Sequence, residues 1–305
     1  MYYNSFSMFA NASTIKTYVV MKKYPVYAIE NFSCNSSNSE LYINTFKEHL
    51  QNHSFVEKPH RHNSYVLVFF TSGSGIHEID FDTFSIKAGS LFVLQPGQMH
   101  HWELSADIEG YVVFYSQQLY NLYFGQKKIE DYPFSNAVTN KPEVVFNPDE
   151  VKAIQPYFEL LFKESSYKKM YTQDKIMNLL DTINIEIARK YTGTDLHHTH
   201  VYNVKIKDFE IVLEQYFRTQ KLPSFYADKL NITLKHLNRI CKEVIEKTAT
   251  EVITDRIILE AKRMLTDKQL SINEIAETLG YEDYSYFTRV FKKRVRLSPT
   301  AFRSK

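Results

Sequence analysis

The C-terminal third of the chain contains one pattern twice, at a period of about 50 residues. A small alanine in the first helix of each copy lets a second helix approach, and Asn231 or Gly280 between them tolerates a left-handed backbone. Each copy therefore predicts a helix, a tight turn and a second helix, which is the sequence form of a helix-turn-helix. In the first helices, Tyr226-Ala227 and Leu230 of one copy match Ile275-Ala276 and Leu279 of the other. In the second helices, Leu237 and Arg239-Ile240-Cys241-Lys242 match Phe287 and Arg289-Val290-Phe291-Lys292.

The second helix of each copy places polar and basic side chains on one stripe, at positions i, i+3, i+4 and i+7. Such a stripe can read a major groove, because arginine forms a fork with guanine, asparagine pairs with adenine, and serine or threonine bonds either way. A solvated polar face is the competing interpretation, but two equivalent stripes favour DNA. The predicted DNA-binding residues are Lys235, His236, Asn238, Arg239 and Lys242 in the first copy and Tyr284, Ser285, Thr288, Arg289 and Lys292 in the second.

The charge of the chain is divided unevenly between its two parts. Residues 207–305 hold 19 Lys+Arg and 14 Asp+Glu, a net charge of +5, and the remaining 206 residues carry −3. The final 22 residues contain seven basic side chains and no acidic one. A basic helical part favours nucleic acid as a partner, which the net charge of +2 for the whole chain conceals.

One helix is predicted between the two copies, over residues 250–265. Its apolar side is formed by Val252, Ile253, Ile257, Ile258, Ala261 and Leu265. A helix of about 16 residues is roughly 24 Å long. Such a spacer can hold two recognition helices near one DNA turn apart, about 34 Å, so that both enter successive major grooves.

The N-terminal half predicts an antiparallel sandwich or barrel. Five of the eight glycines lie between Gly73 and Gly110, and short β-branched and aromatic runs lie around them at 64–71, 76–81, 84–94 and 110–115. Helices are predicted to follow. Asn147 and Pro148 begin the first, Pro156 should kink or restart it, and residues 171–191 form an amphipathic second. Residues 193–204 are interpreted as a linker.

Composition excludes several classes of protein. With 44% hydrophobic and 24% charged residues the chain is expected to fold, and no run reaches the roughly 20 apolar residues of a membrane span. Residues 1–10 lack the basic region of a signal peptide. Two cysteines, Cys34 and Cys241, cannot form a disulfide framework and fit a reducing cytosol. We therefore expect a cytoplasmic protein without a membrane partner.

The repeated part resembles the AraC/XylS family of bacterial transcription regulators. Residues 271–293 read SINEIAETLGYEDYSYFTRVFKK and are followed by Leu297-Ser298-Pro299 and Phe302-Arg303. The resemblance implies an all-α double helix-turn-helix DNA-binding domain, here residues 205–305. Arg256 and Ala261 stand where the family keeps an arginine and an alanine. Glu246 and Arg296 replace the usual glycines after the recognition helices, which costs of order 1 kcal/mol each if the left-handed backbone is kept.

The N-terminal half resembles the cupin-like sensor domain of the same family. The resemblance rests on His60-Arg61-His62, the Gly73/Gly75 turn, Ala88-Gly89-Ser90-Leu91 and Pro96-Gly97-Gln98-Met99-His100. It implies an α+β chain of two domains, with an effector-sensing or dimerising β-barrel over residues 1–145 and a helical segment and linker over 146–204. The implied function is a sequence-specific DNA-binding regulator that a small-molecule effector modulates. The implied effector-pocket residues are His60, His62, Tyr65 and His100.

Those histidines also support a second interpretation. His60 and His62 point to one face of a strand, and with His100 they can supply three imidazoles to a metal, as in cupin enzymes. The carboxylate that such enzymes place a few residues later is missing, since none occurs before Glu78. We therefore favour a pocket without metal or cofactor and a protein that is not an enzyme. A metal-dependent cupin enzyme with an appended DNA-binding domain is the alternative.

Other features leave alternatives open. A constitutive DNA-binding protein whose N-terminal half only dimerises is a third interpretation. The stripe from Ile176 to Ile187 is either a dimer interface or packing against the barrel, and a homodimer is favoured because paired regulators bind paired half-sites. RNA polymerase is a further expected partner. His197, His198 and His200 are a weaker metal candidate, and a set of aromatic residues is either pocket or core: Tyr65, Phe69, Phe81, Phe92 and Trp102.

Overall fold

The computed structural model describes residues 25–32, 40–53, 59–135, 141–167, 169–191 and 200–304, without the side chains of residues 200–203. The first part of the chain is rich in strands. The strands are β1 (Val26–Tyr27), β2 (Leu41–Thr45), β3 (His60–His62), β4 (Tyr65–Ser72), β5 (Gly75–Ile79), β6 (Asp82–Ile86), β7 (Ser90–Leu94), β8 (Met99–Leu104), β9 (Glu109–Tyr115) and β10 (Glu143–Val145). The segment predicted as one run over 84–94 is two strands, because Gly89 turns the chain with a φ of 90°.

Helices dominate from residue 148 onward. Within the described residues, two short α-helices accompany the strands and nine α-helices follow them. They are α1 (Phe46–Asn52), α2 (Gln117–Phe124), α3 (Pro148–Ser165), α4 (Thr172–Tyr191), α5 (His200–Tyr216), α6 (Pro223–Lys229), α7 (Leu234–Ile245), α8 (Ala249–Leu265), α9 (Ile272–Thr278), α10 (Tyr284–Val295) and α11 (Pro299–Arg303). The predicted α+β organisation, a β-rich part followed by a helical repeat, is confirmed.

Two five-stranded sheets face each other in the β-rich part, in the orders β1-β3-β8-β5-β6 and β10-β7-β4-β9-β2. The second sheet is buried on both faces, as the unbroken apolar run of β4 requires. Its alternate residues enter different cores. Val66 and Val68 face the first sheet, whereas Leu67 and Phe69 face the helices.

Helices α3 and α4 cover the outer face of the second sheet. The stripe of α4 that contains Ile176 and Ile187 is buried against this sheet and α3, so its apolar side chains are not available to a second copy. Asn147 caps α3 as predicted, and the helix continues through Pro156 without restarting there. The predicted linker is partly wrong, since α5 already begins at His200. Residues 192–199, with His197 and His198, lie outside the described residues, as does Cys34.

The helices of the repeat share one core. Leu237 and Phe287, which correspond in the two copies, are both fully buried in it. The turn residues Asn231 and Gly280 have the predicted left-handed backbone, with φ of 53° and 70°. A side chain at position 280 would meet the carbonyl oxygen of Arg218, since a Cβ there would lie 2.2 Å from it. Glycine therefore serves both the turn and a close helix contact in the second copy.

Among the described residues, no helix is both long and apolar enough to cross a membrane.

Candidate nucleic-acid interface and sensor core

Helices α7 and α10 are positioned by caps at one end and by buried side chains along one face. The side chain of Thr233 accepts the backbone N–H of His236, and that of Asp283 accepts the N–H of Ser285. Both helices end on a left-handed residue, Glu246 or Arg296. The chain therefore keeps the left-handed backbone without glycine at either position, with the cost expected from the sequence.

The first stripe is exposed along most of α7. Lys235, Arg239 and Lys242 all lie on the surface. The guanidinium of Arg239 lies 2.8 Å from Nδ1 of His236, which supports it from the preceding turn. Lys242 donates to the carbonyl oxygen of Glu246, at 3.3 Å. Three cations and one imidazole are thus presented together on one side of the helix.

Asn238 has a structural contact instead. Its side-chain oxygen accepts the backbone N–H of Ala249, the first residue of α8, at 3.0 Å. The second copy needs no such acceptor, because Pro299 stands at the equivalent position and has no N–H. There the residue equivalent to Asn238 is Thr288, whose buried hydroxyl has no hydrogen-bond partner among the described residues. Asn238 therefore faces the following helix more than an open groove, and the hydroxyl of Thr288 is buried as well.

We expect Asn238→Thr to lower the free energy of unfolding of this domain by about 1–3 kcal/mol, because the buried N–H of Ala249 would lose its acceptor. Adding Ala249→Pro removes that N–H and should restore much of the loss. Urea denaturation of the single and double variants measures both. Equal losses in the two variants would contradict the assigned contact.

The second stripe is exposed on α10. Ser285 and Lys292 lie on the surface, and the side chains of Tyr284 and Arg289 are 40% and 73% exposed. Arg289 lies 4.0 Å from the Asp283 carboxylate, at the edge of an ion pair. Its charge therefore stays largely open to water. Tyr286, absent from the predicted set, is 53% exposed beside Arg289, and its position one residue off the stripe gave no sequence signal.

Helix α8 fixes the two recognition helices relative to each other. Its 17 residues span about 25 Å. Asp255, near its middle, pairs with one cation from each copy: Lys247 after α7, at 2.8 Å, and Arg294 of α10, at 2.6 Å. One carboxylate thus ties both helix-turn-helix units to the spacer.

A cluster of histidines lies between the two sheets of the β-rich part. Strand register places His60 opposite His100. It also places Ile79 opposite His100, and His77 lies two residues before Ile79 on β5. The Nε2 atoms of His62 and His100 are 3.0 Å apart, and Nε2 of His77 is 3.1 Å from Nδ1 of His100. All four side chains are at most 3% exposed. The structure thus brings together His60, His62 and His100 of the predicted pocket.

Burial keeps the imidazoles of His62, His77 and His100 neutral. It lowers the pKa of His77 to about 3, and it holds the pKa of His62 and of His100 well below 6.5. Neutral imidazole is the form that ligates metals. The ligand nitrogens of His60, His62 and His100 all lie within 4.8 Å of one another, a separation compatible with one ion.

Tyr65 does not join the histidines. It stacks on Tyr115, with ring centroids 5.6 Å apart, and lies in the core between the second sheet and the helices. The pocket implied by the resemblance therefore loses this member, because Tyr65 shares the face of β4 with Leu67 and Phe69, which points to the helices. Phe69 shares the core of Tyr65, whereas Phe92 and Trp102 lie with the histidines.

The sequence analysis missed or misplaced several residues of this region. Asp80 and Arg263 form a buried ion pair between the β-rich part and α8, across 183 residues of chain. Phe81, expected in a pocket or core, instead packs on Phe302 of α11. His77 could have been found, since alternation in β5 puts it on the same face as Ile79.

Comparison with known proteins matches both parts of the chain. A family model described as a helix-turn-helix domain matches residues 226–305, and one described as an AraC-like ligand binding domain matches residues 40–179. The HTH-type transcriptional activator RhaR of Mannheimia succiniciproducens is 23% identical over 249 residues, covering 81% of this chain and 87% of that protein. The arabinose operon regulatory protein of Salmonella typhimurium is 23% identical over 262 residues, covering 82% and 87%. A solved structure of ToxT from Vibrio cholerae is 15% identical, with a TM-score of 0.43, and covers 87% of this chain and 98% of that one.

Proposed function

Because the chain belongs to the AraC/XylS family, as a DNA-binding transcription regulator with an N-terminal ligand-binding domain, we propose that its two exposed stripes read DNA and that its histidine core senses the effector. Lys235, His236, Arg239 and Lys242 contact one major groove, and Tyr284, Ser285, Arg289 and Lys292 contact the next. Asn238 and Thr288 support these helices. The observation that carries this proposal is the equivalent exposure of Arg239 and Arg289 on two helices joined by α8.

The two proposed functions, effector sensing and DNA binding, belong to different predicted domains. Residues 1–145 with the helices over 146–191 form the sensor, and residues 205–305 form the DNA-binding domain. An effector that binds two sensor states unequally shifts their populations and so changes DNA binding. We further propose that the protein is a cytoplasmic homodimer that regulates RNA polymerase and has no enzymatic activity. Sedimentation that finds only monomer at micromolar concentration would exclude the dimer.

Replacing either exposed arginine tests base reading. We expect Arg239→Ala or Arg289→Ala to weaken binding to the preferred site by about 1–3 kcal/mol and to relax the preference at one base pair. Fluorescence anisotropy with a duplex enriched from a random pool measures the affinity. Lys293→Ala, an exposed charge removed from the same helix outside the stripe, is the control. A loss that is equal on preferred and random DNA would reassign the arginine to phosphate.

Lys292 is expected to contact phosphate. Lys292→Ala should weaken binding on all sequences alike and reduce the slope of log affinity against log salt by about 1, because one fewer counterion is released. Titrations between low and high salt measure the slope. An unchanged slope together with a lost base preference would contradict the assignment.

A metal-dependent enzyme with an appended DNA-binding domain is the second candidate function, and the nitrogen geometry of His60, His62 and His100 is the observation in its favour. The sensor proposal expects purified protein to contain less than one equivalent of iron or zinc. Elemental analysis of wild type, His62→Ala and His101→Ala decides, because His101 is adjacent to His100 but lies partly exposed beside Glu78. Stoichiometric metal that only His62→Ala loses would favour the enzyme.

A further inference from the structure

The two recognition helices differ in the aromatic side chain beside the exposed arginine. At the repeat offset of 50 residues, His236 of α7 corresponds to Tyr286 of α10, and Arg239 corresponds to Arg289. Each ring therefore stands three residues before its arginine, as a neighbour on the same helix. The chemistry of the two pairs is different, because an imidazole nitrogen accepts a hydrogen bond, whereas a phenol is an apolar ring with a hydroxyl at its tip.

In α7 the imidazole orients the arginine. Nη2 of Arg239 lies 2.8 Å from Nδ1 of His236, which accepts the hydrogen bond. A guanidinium has five N–H donors, so this contact is compatible with a two-pronged contact to guanine. One polar atom of the His236 ring is thus directed at its neighbour on the helix.

In α10 the corresponding ring is held by packing. The ring of Tyr286 lies 5.9 Å from that of Tyr281, which is only 9% exposed and itself packs on Phe287. The guanidinium carbon of Arg289 lies 5.9 Å from the centroid of the Tyr286 ring. Tyr286 nevertheless stays 53% exposed. A tyrosine has few side-chain torsions, so a ring held in this way loses little freedom when it binds.

The exposed ring lies at the end of α10 that meets base edges in a helix-turn-helix complex. The N-terminal residues of a recognition helix contact the bases, and Tyr286 is the third residue of α10. Tyr284, the first residue, is 40% exposed. Among the described residues in the first turn of α7, Leu234 is the exposed large apolar side chain. Helix α10 therefore presents two phenol rings, one on each side of Ser285.

The other end of α10 carries the charges that suit phosphate. Lys292 and Lys293 lie exposed in its last turn, and Arg294 there donates to the Asp255 carboxylate at 2.6 Å. Phosphate contacts fix the register of a protein on the duplex and carry no sequence information directly. The first turn of α10 is therefore the part of the helix that is suited to base recognition.

An exposed phenol ring matches the methyl group of thymine. Thymine is the base that carries an apolar group in the major groove, and apolar side chains recognise it there. Successive base pairs are about 3.4 Å apart along the duplex. The 5.9 Å between the Tyr286 ring and the Arg289 guanidinium therefore corresponds to roughly one or two base-pair steps.

We infer that Tyr286 is a specificity-determining residue, whose ring packs on the methyl group of a thymine one or two base pairs from the base that Arg289 reads. His236 makes no such contact, so the half-site of α10 requires a thymine where the half-site of α7 does not. This inference deepens the proposed function and rests on it, because it names a base in the DNA that α10 contacts.

Replacing thymine by deoxyuridine removes only the methyl group and therefore tests this contact directly. The probe is the duplex that the wild-type full chain enriches from a random pool, with each thymine replaced in turn. Fluorescence anisotropy compares wild type with Tyr286→Ala, Tyr286→His and Tyr286→Phe. Tyr167→Ala is the matched control, because Tyr167 is a tyrosine of the sensor with similar exposure, 46%, and also lies beside a cation, Lys169.

We expect one thymine at which the replacement lowers the affinity of wild type about fourfold, which corresponds to about 0.8 kcal/mol for burial of one methyl-sized group. Tyr286→Phe and Tyr167→Ala should show the same loss, because both keep an aromatic ring at position 286. Tyr286→Ala and Tyr286→His should bind the unmodified duplex about fourfold more weakly than wild type and should not respond to the replacement at that thymine.

Equal responses of wild type and Tyr286→Ala at every thymine would overturn the inference, as would an enriched duplex without thymine. A response that Tyr286→Phe loses would also overturn it, because the hydroxyl and not the ring would then make the contact. A response that Tyr286→His keeps would refute the difference between the two half-sites. Failure of the wild type to enrich any duplex would reject the proposed function, and the inference with it.

Discussion

At pH 5 the sensor domain is expected to be about 4 kcal/mol less stable than at pH 8, from two histidines alone. Burial lowers the pKa of His49 and of His77 to about 3, against 6.5 in an unfolded chain. As the pH falls below 6.5, the unfolded state binds protons that the folded state does not bind. The contribution of these histidines to stability is therefore complete above pH 6.5 and is lost progressively towards pH 3. Each group contributes about 2 kcal/mol at pH 5. His62 and His100 shift in the same direction.

Calorimetry between pH 8 and pH 5 measures this loss. The DNA-binding domain is an internal reference, because residues 205–305 contain a single histidine, His236. We expect His77→Phe, in an apolar site beside Phe92 and Trp102, to flatten the pH dependence. Ser85→Ala, which removes an exposed side chain from β6 in the same sheet, should leave it unchanged. A sensor that melts at one temperature throughout this range would contradict the neutral histidine core.

Phe287→Ala is expected to lower the free energy of unfolding of the DNA-binding domain by about 3–5 kcal/mol, and Leu237→Ala by about 2–5 kcal/mol. Both side chains are fully buried in one core. Removing either leaves a cavity that the surrounding helices fill only in part. Because the two residues are equivalent in the repeat, both losses should occur in the same unfolding transition.

Urea denaturation measures these losses, and surface positions of the same helices give the controls. Glu243→Ala on α7 and Lys293→Ala on α10 remove exposed side chains and should change stability by less than about 0.5 kcal/mol. Normal stability of Phe287→Ala would show that its ring is not part of the shared core and would break the correspondence between the two copies.

The helical repeat could be predicted from the sequence because its information is local. Thr233, Asp283 and Ser271 cap helices within three residues of themselves, and all three caps are present. The left-handed turn at Gly280 and the buried stripe around Phe287 likewise depend on near neighbours. Local patterns of this kind survive in the folded chain unless a distant contact competes with them.

What could not be predicted depends on residues far apart in the chain. Asn238 has the spacing of a base-reading residue, but its partner is a backbone N–H eleven residues later. The pattern of the α4 stripe fits either a dimer interface or packing against the barrel, and it is the second sheet that covers it. Arg263 has no recognisable role until Asp80 lies beside it. Periodicity reports which side chains share a face and leaves open what that face meets.

The buried ion pair between Asp80 and Arg263 also has a consequence for biosynthesis. Asp80 and Arg263 are 183 residues apart, so at roughly 5–20 residues per second a ribosome needs about 10–40 s to make the second after the first. During that interval the turn that carries Asp80 and Phe81 faces water, and the nascent sensor has to remain folded without the helix that later covers it. Docking of the two domains is therefore a late event in the synthesis of the protein.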